Sequence, residues 1–196
     1  DFDLGRLLDN LKSMFKIRAR EKGLTLTIGS APPTRQHIRT DEGKLRQILI
    51  NLLGNAIKFT KEGSVTLEAY PVTVRKDAIT GAEWRPPLYV GVPDGKWIAL
   101  RVIDTGIGIA PEELPRMFEL FTQVDSVLQR QHAGSGLGLS LTAKFAALLG
   151  GELKAVSTPN EGSTFTILLP NTPPQDEAAA AALREEARTS QSPNEE

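Results

Sequence analysis

The run Trp97-Ile98-Ala99-Leu100-Arg101-Val102-Ile103 passes directly into Asp104-Thr105-Gly106-Ile107-Gly108-Ile109, and this junction constrains the fold more than any other stretch. The apolar run reads as a buried strand bounded by a turn. Asp and Gly are poor strand formers, and a carboxylate closing a buried strand needs a donor to satisfy it. The exocyclic amino group of an adenine is such a donor, and glycines one residue apart let backbone pass close to a flat base. The same hexapeptide also suits an Asp-Gly turn that merely closes a strand. Other stretches of the chain have to decide between the two.

Composition narrows the classes. With 196 residues, 40% hydrophobic and 24% charged, the chain is long enough for one domain with a real core and has ordinary soluble composition. A net charge of −1 gives no reason to expect a nucleic-acid partner. The absence of cysteine excludes disulfides, thiolate catalysis and cysteine metal sites. His37 and His132 lie far apart without ligand-like spacing. No signal peptide and no membrane-spanning run stands out, so a cytoplasmic location is expected, compatible with a membrane-anchored parent. The start at Asp1 without an initiator Met suggests a piece of a longer protein.

Taken in order, Leu4, Leu7, Leu8, Leu11, Phe15 and Ile17 recur at mostly helical spacing up to a stop at Gly23. Residues 24–28 alternate as a strand, and a short strand is expected around His37-Ile38-Arg39. Thr40 or Asp41 caps a second helix, whose apolar stripe is Leu45, Ile48, Leu49, Leu52, Leu53 and Ile57. Residues 64–70 read as a strand continued by Val72-Thr73-Val74, in a long twisted hairpin that leads back to Asp104. Pro111 opens an expected short helix over 112–118. The polar segment 122–133 lacks a periodic pattern and reads as a mobile loop. A helix over 137–149, with Leu139, Phe145, Ala146 and Leu149 inward, precedes closing strands over 152–156 and 163–169. Residues 1–170 thus form one expected domain. Residues 171–196, with six acidic and two basic side chains, form an acidic tail expected to be disordered.

Three features converge on the Asp104 junction. Asn51, Asn55 and Lys58 stand at i, i+4 and i+7 and so share one helix face. An amide oxygen of Asn55 together with triphosphate oxygens suits a hard cation such as Mg²⁺, and the Lys58 ammonium offsets phosphate charge; a solvated polar face reads the same way. Gly134-Ser135-Gly136-Leu137-Gly138-Leu139 opens a helix, where free backbone N–H groups can face an anion. It is neither a Rossmann fingerprint nor a P-loop. Finally, Gly162-Ser163-Thr164-Phe165 starts the last strand with hydroxyls at its head, one of which can hydrogen-bond, directly or through water, to a base held by Asp104.

Together these stretches resemble the motifs of sensor histidine kinases. Residues 51–60 resemble the N box, 104–109 the G1 box, 118–121 the F box, 134–139 the G2 box and 162–165 the final glycine motif, in the family's order across residues 2–170. The resemblance implies the Bergerat ATP-binding fold, an α/β (α+β) two-layer sandwich with a mixed, mainly antiparallel sheet covered on one face by helices. It implies ATP and Mg²⁺ as cofactors, with Asp104 holding adenine, Asn55 binding Mg²⁺ and residues 122–133 forming a lid in which Arg130 contacts phosphate. Nucleotide contacts are expected at Asn51, Asn55, Lys58, Phe59, Asp104, Gly106, Gly108, Ile109, Phe121, Arg130, Gly134, Ser135, Gly136, Leu137, Gly138, Leu139 and Ser163. Asn51, Asn55, Lys58 and Arg130 are the expected catalytic set. Ser135 and Ser163 stand where Thr is more usual and keep the hydroxyl; Gln131 stands where a basic residue is expected.

The resemblance also implies partners: ATP or ADP, an upstream dimerisation and phosphoacceptor domain, and a response regulator receiver domain. The parent is expected to be a homodimer and this chain a monomer. Neither His37-Ile38 nor His132-Ala133 has the acidic neighbour of the family's phosphoacceptor. Asn51 stands where ATP-hydrolysing relatives carry Glu, and an amide cannot accept the proton of an attacking water. Phosphoryl transfer to a histidine is therefore the expected chemistry. The alternatives are a stand-alone anti-sigma-type serine kinase and a nucleotide-binding interaction module without phosphotransfer.

Overall fold

The computed structural model describes residues 2–30, 37–75, 78–80, 92–118 and 138–171. In chain order the elements are β1 (Phe2–Asp3), α1 (Leu4–Glu21), β2 (Thr25–Ser30), β3 (His37–Ile38), α2 (Glu42–Phe59), β4 (Ser64–Arg75), β5 (Ala78–Thr80) and β6 (Gly95–Asp104). There follow a 3-10 turn (Arg116–Phe118), α3 (Gly138–Leu148), β7 (Glu152–Thr158) and β8 (Gly162–Pro170). The tail from 172, the stretch 81–91 and residues 119–137, which include the expected lid (122–133), lie outside the described residues.

Helices α1 and α2 start at carboxylates. Asp3 accepts from the Arg6 N–H at 3.3 Å and Asp41 from the Lys44 N–H at 3.0 Å, which satisfies donors that a first helical turn leaves open. The α2 stripe Leu45, Ile48, Leu49, Leu52, Leu53 and Ile57 is buried throughout. Helix α1 buries Leu4, Leu7, Leu8, Leu11, Phe15 and Ala19. Ile17, counted with Phe15 in the helical spacing of the sequence, is 66% exposed, because residues two apart on a helix do not share a face with each other.

The strands order as β2-β4-β6-β8-β7, with β5 paired to the far end of β4. Strand β2 runs parallel to β4, and α2 supplies the crossover that parallel neighbours need. The other pairs in this sheet are antiparallel. The expected long hairpin is the β4–β6 pair, in register from Val65↔Asp104 to Val74↔Gly95. A separate small sheet joins β1 to β3.

Side-chain alternation sorts the sheet into two faces. Val65, Leu67, Ala69, Ile98, Leu100, Val102, Ile167 and Leu169 pack in one core with the three helices. On the opposite face Tyr70, Val72, Val74, Trp97, Ala99 and Leu168 form a second cluster. The architecture is the expected mixed sheet with helices on one face.

One expected element differs. Instead of a helix over 112–118 the chain makes turns and a 3-10 turn at Arg116–Phe118. Leu114 and Met117 donate to Ala110 and Glu113 at 3.2 Å. Pro115 has no N–H to donate to residue 111, so the helical ladder is interrupted there.

Candidate functional site

Asp104 closes β6, the middle strand of the sheet, opposite Val65 on one side and Ser163 on the other. Its alternation matches Ile98, Leu100 and Val102, which aims the carboxylate at the helical layer. It is 8% exposed and accepts the Gly106 N–H at 2.9 Å. Burial pushes its carboxyl above the ordinary range, while the N–H groups of Gly106 and Ser163 pull it back. A carboxylate offers about four acceptor directions, so capacity remains for donors of a ligand.

The loop after Asp104 is pinned from several sides. Ile107 donates its N–H to Phe59 O at 3.3 Å and accepts from the Asn160 N–H at 2.7 Å. The Ile109 N–H donates to Ser157 Oγ at 2.7 Å. The Ser157 hydroxyl in turn lies 2.9 Å from Gly162 O and 2.9 Å from Ser163 Oγ. Gly108 (φ +67°) and Gly162 (φ +119°) leave no room for a side chain: an added Cβ would lie 1.9 Å from Thr158 O and 1.9 Å from Asp104 O, respectively. A Cβ on Gly106 would come within 2.7 Å of Asp104 Oδ1 and of Phe59 O. The loop therefore lies tight against the end of α2.

The outer face of α2 lines a cleft of its own against the end of α1. Asn51, Asn55 and Lys58, with Gln47 of the same helix and Arg18, Glu21 and Lys22 from α1 and its end, line an open cleft of about 570 Å³. That volume is in the range of small-molecule sites. Asn51 Nδ2 donates to Thr142 Oγ1 at 2.7 Å, and the Thr142 hydroxyl donates to Gly138 O at 2.7 Å. A Cβ on Gly138 would stand 2.5 Å from Asn51 Oδ1, so the start of α3 presses on Asn51. The Lys58 ammonium sits 5.1 Å from the Phe59 ring centroid, a distance that allows a cation–π contact.

Phe59, Asp104, Gly106, Gly108, Ile109 and Ser163 meet around the loop after Asp104, Gly138 abuts Asn51, and Asn51, Asn55 and Lys58 share the outer face of α2. Leu139 places its side chain in the main core. Phe121, Arg130, Gly134, Ser135, Gly136 and Leu137 lie outside the described residues. Sequence patterns missed Ser157, Thr60 and Thr142. Thr60 is fully buried, donating to Ala56 O at 2.7 Å. Each is a hydroxyl residue whose importance comes from partners distant in sequence or hidden by burial.

The donor and acceptor set fits an adenine nucleotide: a buried acceptor for an amino group, a glycine cradle, and amide and ammonium groups along α2. Among the described residues no group of three or more His, Cys, Asp or Glu could hold a metal. A divalent ion here would rely on Asn55 and on oxygens brought by the ligand, the usual arrangement for Mg²⁺.

Known proteins bear on this reading. Residues 40–173 match the family described as histidine kinase-, DNA gyrase B-, and HSP90-like ATPase. The chain is 34% identical over 164 residues to the signal transduction histidine-protein kinase BarA of Escherichia coli (strain K12), covering 84% of this chain and 16% of that protein. It is 35% identical over 170 residues to the autoinducer 2 sensor kinase/phosphatase LuxQ of Vibrio cholerae, covering 87% of this chain and 18% of that protein. The chain therefore spans less than a fifth of the length of either relative. Among solved structures it is similar to full-length ShkA in complex with AMPPNP, with a TM-score of 0.66 and 31% identity over 88% of this chain and 31% of that one. The catalytic domain of the histidine kinase ThkA shares the fold at a TM-score of 0.65 and 21% identity, over 88% of this chain and 97% of that one.

Proposed function

The chain belongs to the histidine kinase-, DNA gyrase B- and HSP90-like ATPase family, and from that premise we propose that it binds Mg·ATP and donates the γ-phosphoryl to a histidine on a separate dimerisation domain. The observation that carries this reading is Asp104, a buried carboxylate with acceptor capacity left over at the end of a glycine-walled loop. Its oxygen accepts from the adenine amino group. Lys58 and Arg130 offset the charge of the phosphates, and Asn55 offers its amide oxygen to Mg²⁺. The ion, when bound, supplies charge neutralisation on the triphosphate oxygens.

Asn51 favours transfer over hydrolysis. Its amide has no basic site, and its nitrogen is already engaged by Thr142. Without a residue that takes a proton from water, the γ-phosphoryl can await an acceptor brought by another domain, and the rate depends on positioning and charge. The kinase names of relatives about a third identical over most of this chain support the same choice. The domain then works in the cytoplasm, where ATP is available, and the parent is a homodimer that passes phosphate to a receiver domain. No helix among the described residues is long and apolar enough to cross a membrane.

The test is a transfer assay with radiolabelled ATP and Mg²⁺. The chain alone should remain unlabelled. Added dimerisation domain bearing its phosphoacceptor histidine should gain acid-labile phosphate only when this chain is present. Stable label on the chain itself, or acid-stable label on a protein partner, would contradict the assignment.

A further inference from the structure

Lys22 follows α1 and belongs to none of the motifs. Its Nζ lies 2.6 Å from Ile57 O, 3.0 Å from Lys58 O and 2.9 Å from Thr60 O. An ammonium has three N–H donors and no acceptor, so these carbonyls match its whole capacity. They belong to the end of α2, whose last turn leaves carbonyls without helical partners. A positive charge there also meets the favourable end of the helix dipole.

The grip is aimed by the chain behind it. The Gly23 N–H donates to Arg20 O at 3.0 Å and the Leu24 N–H to Ala19 O at 2.9 Å, which closes α1 in a tight terminal turn and fixes the backbone that carries Lys22. On the other side, Phe59 stands between the gripped carbonyls of Lys58 and Thr60. Phe59 O accepts the Ile107 N–H at 3.3 Å. The contacts run without a gap from Lys22, through the end of α2, to the loop that begins at Asp104.

We infer that Lys22 is a positioning residue of the nucleotide site, an inference that rests on the nucleotide reading above. Its ammonium fixes the last turn of α2, so that Lys58 stands along the cleft and Phe59 O holds the loop on which Asp104 meets the base. With its donors engaged by backbone, Lys22 acts through these neighbours and does not touch the nucleotide.

The test uses the full chain with Lys22→Met, which keeps the aliphatic stem and removes the ammonium, and Lys22→Arg, which keeps the charge. Amide hydrogen exchange is read at Ile107 and Gly106 without ligand, and affinity is read for Mg·ADP. In Lys22→Met, exchange at Ile107 should speed up and the Mg·ADP Kd should rise, each roughly tenfold. Exchange at Leu67 and Val102, inside the sheet, should stay at its wild-type rate, and Lys22→Arg should recover most of both effects. A lower urea midpoint with unchanged Ile107 exchange and unchanged affinity would make Lys22 a helix cap only and overturn the inference. If the wild-type chain itself fails to bind Mg·ADP, the nucleotide reading falls, and a positioning role for Lys22 falls with it even where the exchange responds. Should Lys22→Met not fold, Lys22→Gln, with two donors on a shorter stem, is judged by the same two readouts.

Discussion

Asn51 Nδ2 donates to the Thr142 hydroxyl at 2.7 Å, across the boundary between α2 and α3. This bond ties the helix that carries Asn55 and Lys58 to the second turn of α3, the helix that follows the glycine-rich stretch. Thr142 is 2% exposed, so its hydroxyl has little access to water in place of Asn51. Asn51→Ala should cost about 1 kcal/mol of stability. In a Thr142→Val background the same change should cost less, giving a coupling of about 0.5–1.5 kcal/mol in a double-mutant cycle read by urea denaturation. Additive effects would mean that the two side chains do not interact in solution.

Burial of Asp104 has a pH signature. Its folded-state pKa lies above the ordinary value of 3.8, chiefly through desolvation. A raised carboxyl favours the folded state while protonated, and that contribution is lost as pH rises through the folded-state value. Asp104→Asn keeps an oxygen for the Gly106 N–H and removes the buried charge. Without nucleotide it should therefore be more stable than wild type at neutral pH, and the gap should close as pH falls through the raised folded-state value toward 3.8. A gap that widens toward acid would show that hydrogen bonds, not burial, dominate this carboxylate.

Gly162 abuts the same residue. With φ at +119° and a notional Cβ 1.9 Å from Asp104 O, Gly162→Ala must shift backbone on both strands. It should cost about 2 kcal/mol or more and weaken nucleotide binding together with stability. Gly29→Ala is the matched control, since an added Cβ there meets nothing within 4 Å; it should stay within about 1 kcal/mol of wild type. Equal effects at the two positions would mean that the Asp104–Gly162 approach is looser than observed.

Arg130 carries the proposed phosphate contact in the lid. Arg130→Ala should weaken ATP binding while leaving adenosine binding near wild type, because only the triphosphate offers the guanidinium a charged partner. Equal losses for both ligands, measured by competition, would remove Arg130 from this role.

The parts legible from sequence were those with a local signature. The α2 stripe from Leu45 to Ile57 follows helical periodicity, and the cap at Asp41 has its own chemistry. The apolar run ending at Asp104 revealed the middle strand because a carboxylate there conflicts with strand propensity. Contacts between distant segments were not legible. Lys22 looked like a helix end, yet it serves carbonyls more than thirty positions away. Ser157 fell just beyond the expected strand over 152–156, yet it belongs to β7 and receives the Ile109 N–H. Pro115 carried a readable signal against a full helix over 112–118, since proline removes a ladder donor. Ile17 shows the limit of an apolar residue counted in a helical pattern without its angular place on the helix.

Titration of Mg·ATP and Mg·GTP into this chain by calorimetry reads the role of Asp104 most directly. Adenine presents an amino group to the carboxylate, whereas guanine presents a carbonyl and sets two acceptors against each other. An unmatched buried polar group costs about 1–3 kcal/mol, so ATP should bind at least about tenfold more tightly than GTP. Asp104→Ala should bring the two affinities together. Equal affinity for ATP and GTP in the wild-type chain would contradict base recognition by Asp104, and with it the central reading of the site.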